Sequence, residues 1–172
     1  MLNNFFDAIN KMINVQPLAL PYPEEAPDYT RTITGEELLR DFFTGYFIPE
    51  VYWNFWRRVT IIVDKTLAYP AGMISETKTL LLSPEYATPG ILAHEFSHLS
   101  YSELNPNKIA SFTAEYNSIL QTNELLKFLY SQKPYMKTNI IEAHAEIFRY
   151  LGNKMPEQLK KYYPKLFLPA PF

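Results

Sequence analysis

Cysteine is absent from the 172 residues, which excludes disulfide bridges, thiolate metal ligands and a cysteine nucleophile. Histidine is nearly as scarce, with three in the chain, so any bound metal must be held by imidazole and carboxylate. Charge of neither sign dominates: the formal net charge is −2 and no run of Lys or Arg exceeds two residues. A nucleic-acid partner therefore lacks its electrostatic footprint. No apolar stretch approaches the roughly 20 residues that span a bilayer. The first residues, MLNNFFDAINKMINV, also lack the basic leader and unbroken apolar core of a secretory signal, because Asn3, Asn4, Asp7, Asn10 and Lys11 interrupt them. A cytosolic location, a phage or mobile-element origin and a secreted form stripped of its leader all stay open, and the oligomeric state is not readable.

Aromatic residues, in contrast, are plentiful. Thirteen Tyr and twelve Phe predict a folded protein with a bulky core rather than a disordered chain, and the length suits a single domain over 1–172. Apolar residues at helical spacing predict an amphipathic helix over 2–14, followed by a proline-rich arm that reaches residue 30. Thr34-Gly-Glu-Glu37 has the form of a capping box and predicts a helix over 35–44. A second helix is expected over 49–58, with Trp53, Phe55 and Trp56 in the core rather than on a ligand platform.

VTIIVD, 59–64, and TKTLLLS, 77–83, carry strand character, with Lys78 suggesting an exposed sheet edge and 66–76 reading as a loop. Thr88-Pro89 caps the next helix. One long helix is expected over 108–130, another from Thr138 or Asn139 through Tyr150 closed by Gly152, and a short one at MPEQLKKYY. Residues 164–172 form a tail. The fold class is α+β: a small mixed sheet, an edge strand packed on the central helix, and a helical C-terminal half.

Within ILAHEFSHLSYSEL, His94 and His98 lie four residues apart and project from one helical face, where they can share a metal ion. Glu95 stands beside that face, placed to take a proton from an activated water. A catalytic zinc site generally has three protein ligands, and without cysteine the third must be His, Asp or Glu. TNIIEAHAEIFRYL, 138–151, offers Glu142 and Glu146 on one face and His144 on roughly the other side.

HEFSH, followed 44 residues after its second His by EAHAEIF, resembles the catalytic domain of anthrax lethal factor and the related Pro-Pro endopeptidases, which are gluzincins. Tyr135-Met-Lys-Thr-Asn139 extends the resemblance upstream. It implies a compact zincin-like fold and a zinc-dependent endopeptidase acting on a protein or peptide substrate. Zn²⁺ would be held by His94, His98 and Glu142, with Glu95 as general base, Tyr135 as oxyanion donor and Glu146 orienting a liganding His. The chain departs from the family form at Ser97, where Gly is usual, which implies slightly different packing. It departs again at His144, where an aromatic residue is common, which leaves an alternative metal arrangement open. The competing expectation is a non-catalytic zincin-fold protein serving as structural or binding component of a larger assembly, for which the proline arm and the LFLPAPF tail would supply contacts. Either terminus could instead cover the cleft and keep an enzyme latent.

Overall fold

The computed structural model describes residues 33–67, 72–74 and 78–169. The expected helix over 2–14 and the proline arm lie outside them. Helix α1, Gly35–Gly45, begins where Thr34 and Glu37 exchange hydrogen bonds: Glu37 N–H donates to Thr34 Oγ1 at 3.2 Å and Thr34 N–H to Glu37 Oε2 at 2.9 Å. Its apolar face buries Leu38, Leu39, Phe42 and Phe43. The expected helix over 49–58 is shorter and in two pieces, a single 3-10 turn at Glu50–Tyr52 and α2, Trp53–Trp56. Two indoles fix this corner. Trp53 Nε1–H donates to the Ile48 carbonyl at 2.8 Å, and Trp56 Nε1–H reaches the carbonyl of Lys165 at 2.9 Å. Trp56 is fully buried and stacks on Phe96 with ring centroids 4.5 Å apart, so it belongs to the core, whereas Trp53 and Phe55 are half-buried against it.

Three strands follow, β1 Thr60–Val63, β2 Gly72–Ile74 and β3 Thr79–Leu82, arranged β1-β3-β2. β1 runs parallel to β3, with Thr60 opposite Thr79, and β2 runs antiparallel to it, with Gly72 opposite Leu82. β3 is therefore the central strand, not the exposed edge that Lys78 suggested. Its second neighbour lies inside the stretch that reads as a loop, because three residues are too few to show the alternation that marks a strand. The edge strand that contacts the histidine helix is β2. Lys78, at φ 54, stands in the left-handed region just before β3, its ammonium 5.6 Å from the centre of the Phe55 ring.

The outer side of β1 is covered by the start of α1. A Cβ on Gly35 would come within 2.6 Å of the Ile61 carbonyl oxygen, so only glycine permits this approach.

Helix α3, Pro89–Ser102, starts at Thr88, whose Oγ1 accepts from Ile91 N–H. The helix expected over 108–130 is two, α4 Pro106–Thr122 and α5 Glu124–Gln132. Asn123 separates them. Its backbone N–H closes α4 on the Ile119 carbonyl at 2.8 Å while its Oδ1 opens α5 by accepting from Leu126 N–H at 2.9 Å. Asparagine competes for backbone partners in this way, and apolar periodicity does not register it. A 3-10 turn at Pro134–Lys137 leads to α6, Ile140–Leu151, capped by Asn139 and closed by Gly152 at φ 47. The short α7, Glu157–Lys160, follows.

The described domain is mostly helical with a small sheet, and one continuous core holds it together. α3 and α6 pack against each other at its centre, flanked by Phe42 edge-on to Phe96 and by Tyr46 against Phe148. The start of the expected tail belongs to this core: Leu166 is fully buried and Phe167 packs against it, while Leu168 is exposed. His144 is also a core residue. Its ring is inaccessible to solvent, stacks 3.8 Å from Tyr163, and donates from Nε2 to the Tyr162 carbonyl at 2.8 Å.

Two predictions arise from this frame. Gly→Ala inside a helix ordinarily stabilises by up to about 1 kcal/mol, but Gly35→Ala is expected to destabilise by about 1–3 kcal/mol, because a backbone oxygen cannot move aside as a side chain can. An unchanged or higher urea midpoint would contradict it. The second concerns acid. Burial pulls the His144 pKa down to about 3, opposed by the hydrogen bond to Tyr162 and reinforced by His98. The folded state thus binds fewer protons than the unfolded one between about pH 3 and the ordinary 6.5. Stability from this group is complete above 6.5 and drains as pH falls toward 3. At about 1.4 kcal/mol per unit, the chelator-treated wild type should lose ~3 kcal/mol more than His144→Phe between pH 7 and pH 4. Parallel loss in the two proteins, followed by denaturant unfolding, would refute it.

Candidate metal centre

The helix α3 carries both site histidines, and its buried small residues Ala93, Ser97 and Ser100 leave room for a close neighbour. Ser97 is inaccessible and its Oγ lacks a hydrogen-bond partner. That neighbour is α6. Asn139 Oδ1 accepts from Glu142 N–H at 2.9 Å, which starts the helix so that Glu142 lies in its first turn, where the helix dipole favours a carboxylate.

Three donor atoms converge across the gap. His94 Nε2 lies 3.0 Å from His98 Nε2 and 3.2 Å from Glu142 Oε2, and His98 Nε2 lies 3.7 Å from the same oxygen. Zinc–ligand bonds of about 2.0–2.1 Å at tetrahedral angles place ligand atoms roughly 3.4 Å apart, the middle of that range. Among the described residues this is the one cluster of three such donors within 4.8 Å of one another. Glu142 Oε2 is buried and makes no hydrogen bond. An orphaned carboxylate oxygen facing two imidazole nitrogens is an arrangement that a cation satisfies, and the donor set suits zinc.

Around the triangle the charges are ordered. His94 Nδ1 is 2.7 Å from Glu146 Oε1. Burial alone would raise the Glu146 carboxyl, but the hydrogen bond from His94 and the nearby Arg149 hold it below its ordinary value. An ionised carboxylate only accepts, so Nδ1 must carry a proton, and Nε2 is the nitrogen that faces the triangle. Arg149 also reaches this oxygen, Nη1 3.5 Å from Oε1. Burial lowers the His98 pKa to about 4, helped by His94 and opposed by Glu146, so the ring is neutral at neutral pH and its Nε2, 3.0 Å from His94 Nε2, can ligate in the tautomer protonated at Nδ1. Glu95, half-buried, has its carboxyl raised by burial, further raised by Glu142 and partly offset by His94 and Arg149. A carboxylate made more basic in this way suits proton abstraction.

Tyr135 sits on the 3-10 turn before α6, 60% exposed, its ring edge-on to His94 with centroids 6.2 Å apart. The structure thus brings together His94, His98, Glu142, Glu146 and Tyr135. It excludes His144 as a ligand, since that ring faces Tyr162 and Tyr163 in the core. Arg149 was not among the expected residues. The signal that could have found it is its spacing of three from Glu146 on one helical face.

Comparison of the chain with family models, with curated proteins and with solved structures gave no match.

Proposed function

We propose that the chain is a zinc-dependent endopeptidase of the gluzincin type with a zincin-like fold. The observation that carries the proposal is the convergence of His94 Nε2, His98 Nε2 and Glu142 Oε2 to within 3.0–3.7 Å, with that oxygen otherwise unpartnered. The resemblance of HEFSH and EAHAEIF to lethal factor and the Pro-Pro endopeptidases supports the same ligand set.

A zinc ion held there would supply Lewis acidity, lowering the pKa of a water to about 7 and polarising the scissile carbonyl. Glu95 takes the proton of the attacking water and passes it to the leaving amine, a role its raised basicity favours. Tyr135 donates a hydrogen bond to the oxyanion of the tetrahedral intermediate, a contribution of about 3 kcal/mol by analogy with other oxyanion donors. Tyr135 is 60% exposed and so open to an incoming chain. Glu146 holds the His94 ring in one tautomer and orientation. An extended peptide has a place to pair: among the described residues β2 has a neighbour on one side only, and it contacts α3.

Of the tail that the alternative of a non-catalytic scaffold invokes, Leu166 and Phe167 are spent in the chain's own core, while Leu168 stays exposed. The two readings separate on one set of variants. Glu95→Gln should retain zinc and lose peptide cleavage by about 10²–10⁴-fold, the usual worth of a general base, whereas Glu142→Ala should release zinc to a weak chelator. Equal cleavage of a peptide library by wild type and Glu95→Gln, or purified protein that takes up no zinc, contradicts the proposal.

A further inference from the structure

We infer that the segment from Tyr162 to Lys165 is a clamp that fastens the two ligand-bearing helices from behind, with Ser100 and His144 as positioning residues for the metal centre. The inference rests on reading that centre as a metal site. Three side chains from three helices donate to carbonyls of this short segment. His144 Nε2–H of α6 reaches Tyr162 O at 2.8 Å, Ser100 Oγ–H of α3 reaches Pro164 O at 2.8 Å, and Trp56 Nε1–H of α2 reaches Lys165 O at 2.9 Å. Tyr163 closes the arrangement by stacking on the His144 ring and returning a hydrogen bond from its hydroxyl to the His144 carbonyl at 2.9 Å.

The placement of these donors follows the ligands. Ser100 stands two residues beyond His98, and His144 two residues beyond Glu142. Two residues turn an α-helix by about 200°, so each points away from the donor triangle while sharing a helical turn with a ligand. α3 and α6 are packed directly on each other, and the polar contacts between them on the front are those of the donors themselves and the Glu146–His94 bond. Behind, the helices meet through the clamp and through Tyr101, edge-on to His144 with centroids 5.0 Å apart. The clamp is anchored at its far end through Lys165. Lys165 adopts φ 63, in the left-handed region where a non-glycine residue is strained, and its ammonium lies 2.6 Å from Glu103 at the end of α3 and 3.8 Å over the Phe55 ring. A sideways shift of either helix by a few tenths of an ångström would open the triangle, because zinc tolerates little departure from its bond lengths.

The test compares Ser100→Ala, which deletes one clamp bond, and His144→Phe, which keeps the aromatic stack and deletes a second, with Gly35→Ala as a control destabilised where α1 meets Ile61 of β1. Zinc affinity is measured by competition with a chromophoric chelator, and the Co²⁺-loaded proteins are compared by visible absorption. The clamp predicts about tenfold weaker zinc binding in each clamp variant and a cobalt spectrum shifted from the wild type. Gly35→Ala should match wild-type affinity and spectrum despite its lower melting temperature. Wild-type affinity and spectrum in Ser100→Ala and His144→Phe overturn the clamp alone. A wild-type protein that binds neither metal overturns the metal reading, and the clamp with it.

Discussion

The hydrogen bond between His94 Nδ1 and Glu146, 2.7 Å long and buried, joins α3 to α6, and the candidate site depends on it. It fixes which nitrogen of His94 carries a proton and which faces the gap. It draws together two helices whose facing residues would otherwise repel, because Glu142, Glu146 and Glu95 bring three carboxyls into one region with Arg149 as the balancing cation. The desolvation that raises Glu95 and lowers His98 comes from the same closeness. Packing and chemistry are thus one constraint: α3 and α6 must be near enough to exclude water, and near enough for donors to meet.

Capping chemistry explains why much of this was legible in the sequence. Thr34 with Glu37, Thr88 with Pro89, and Asn139 with Gly152 mark the ends of α1, α3 and α6 within a residue or two, since each satisfies backbone groups that the helix cannot. The spacings 94–98 and 142–146 then decide which side chains share a face. What spacing alone leaves open is which of Glu142, Glu146 and His144 faces the histidines. That needed the resemblance at the sequence level and the α3–α6 packing in the structure.

The features that escaped have physical reasons of their own. β2 is three residues long beside a Pro70-Ala71 stretch, below the length at which alternation has meaning, and missing it turned the central strand β3 into an apparent edge. Asn123 breaks a helix whose apolar periodicity runs on undisturbed, because the break is made by hydrogen bonds. The Tyr162–Lys165 segment shows no motif at all. It offers backbone carbonyls, and the side chains that seek them lie 18 to 109 positions away in the chain. His144 illustrates the limit: close to two candidate ligands in sequence, it belongs to the core because Tyr163 covers one face of its ring and the Tyr162 carbonyl accepts its hydrogen bond.

Three donor atoms define the proposed metal centre, and X-ray absorption at the zinc edge of metal-loaded protein reads them directly. The proposed centre predicts nitrogen and oxygen neighbours at about 2.0–2.1 Å, with outer-shell scattering from two imidazoles, and loss of that ordered shell in Glu142→Ala. A shell containing three imidazoles, or zinc surrounded by water alone, would contradict it.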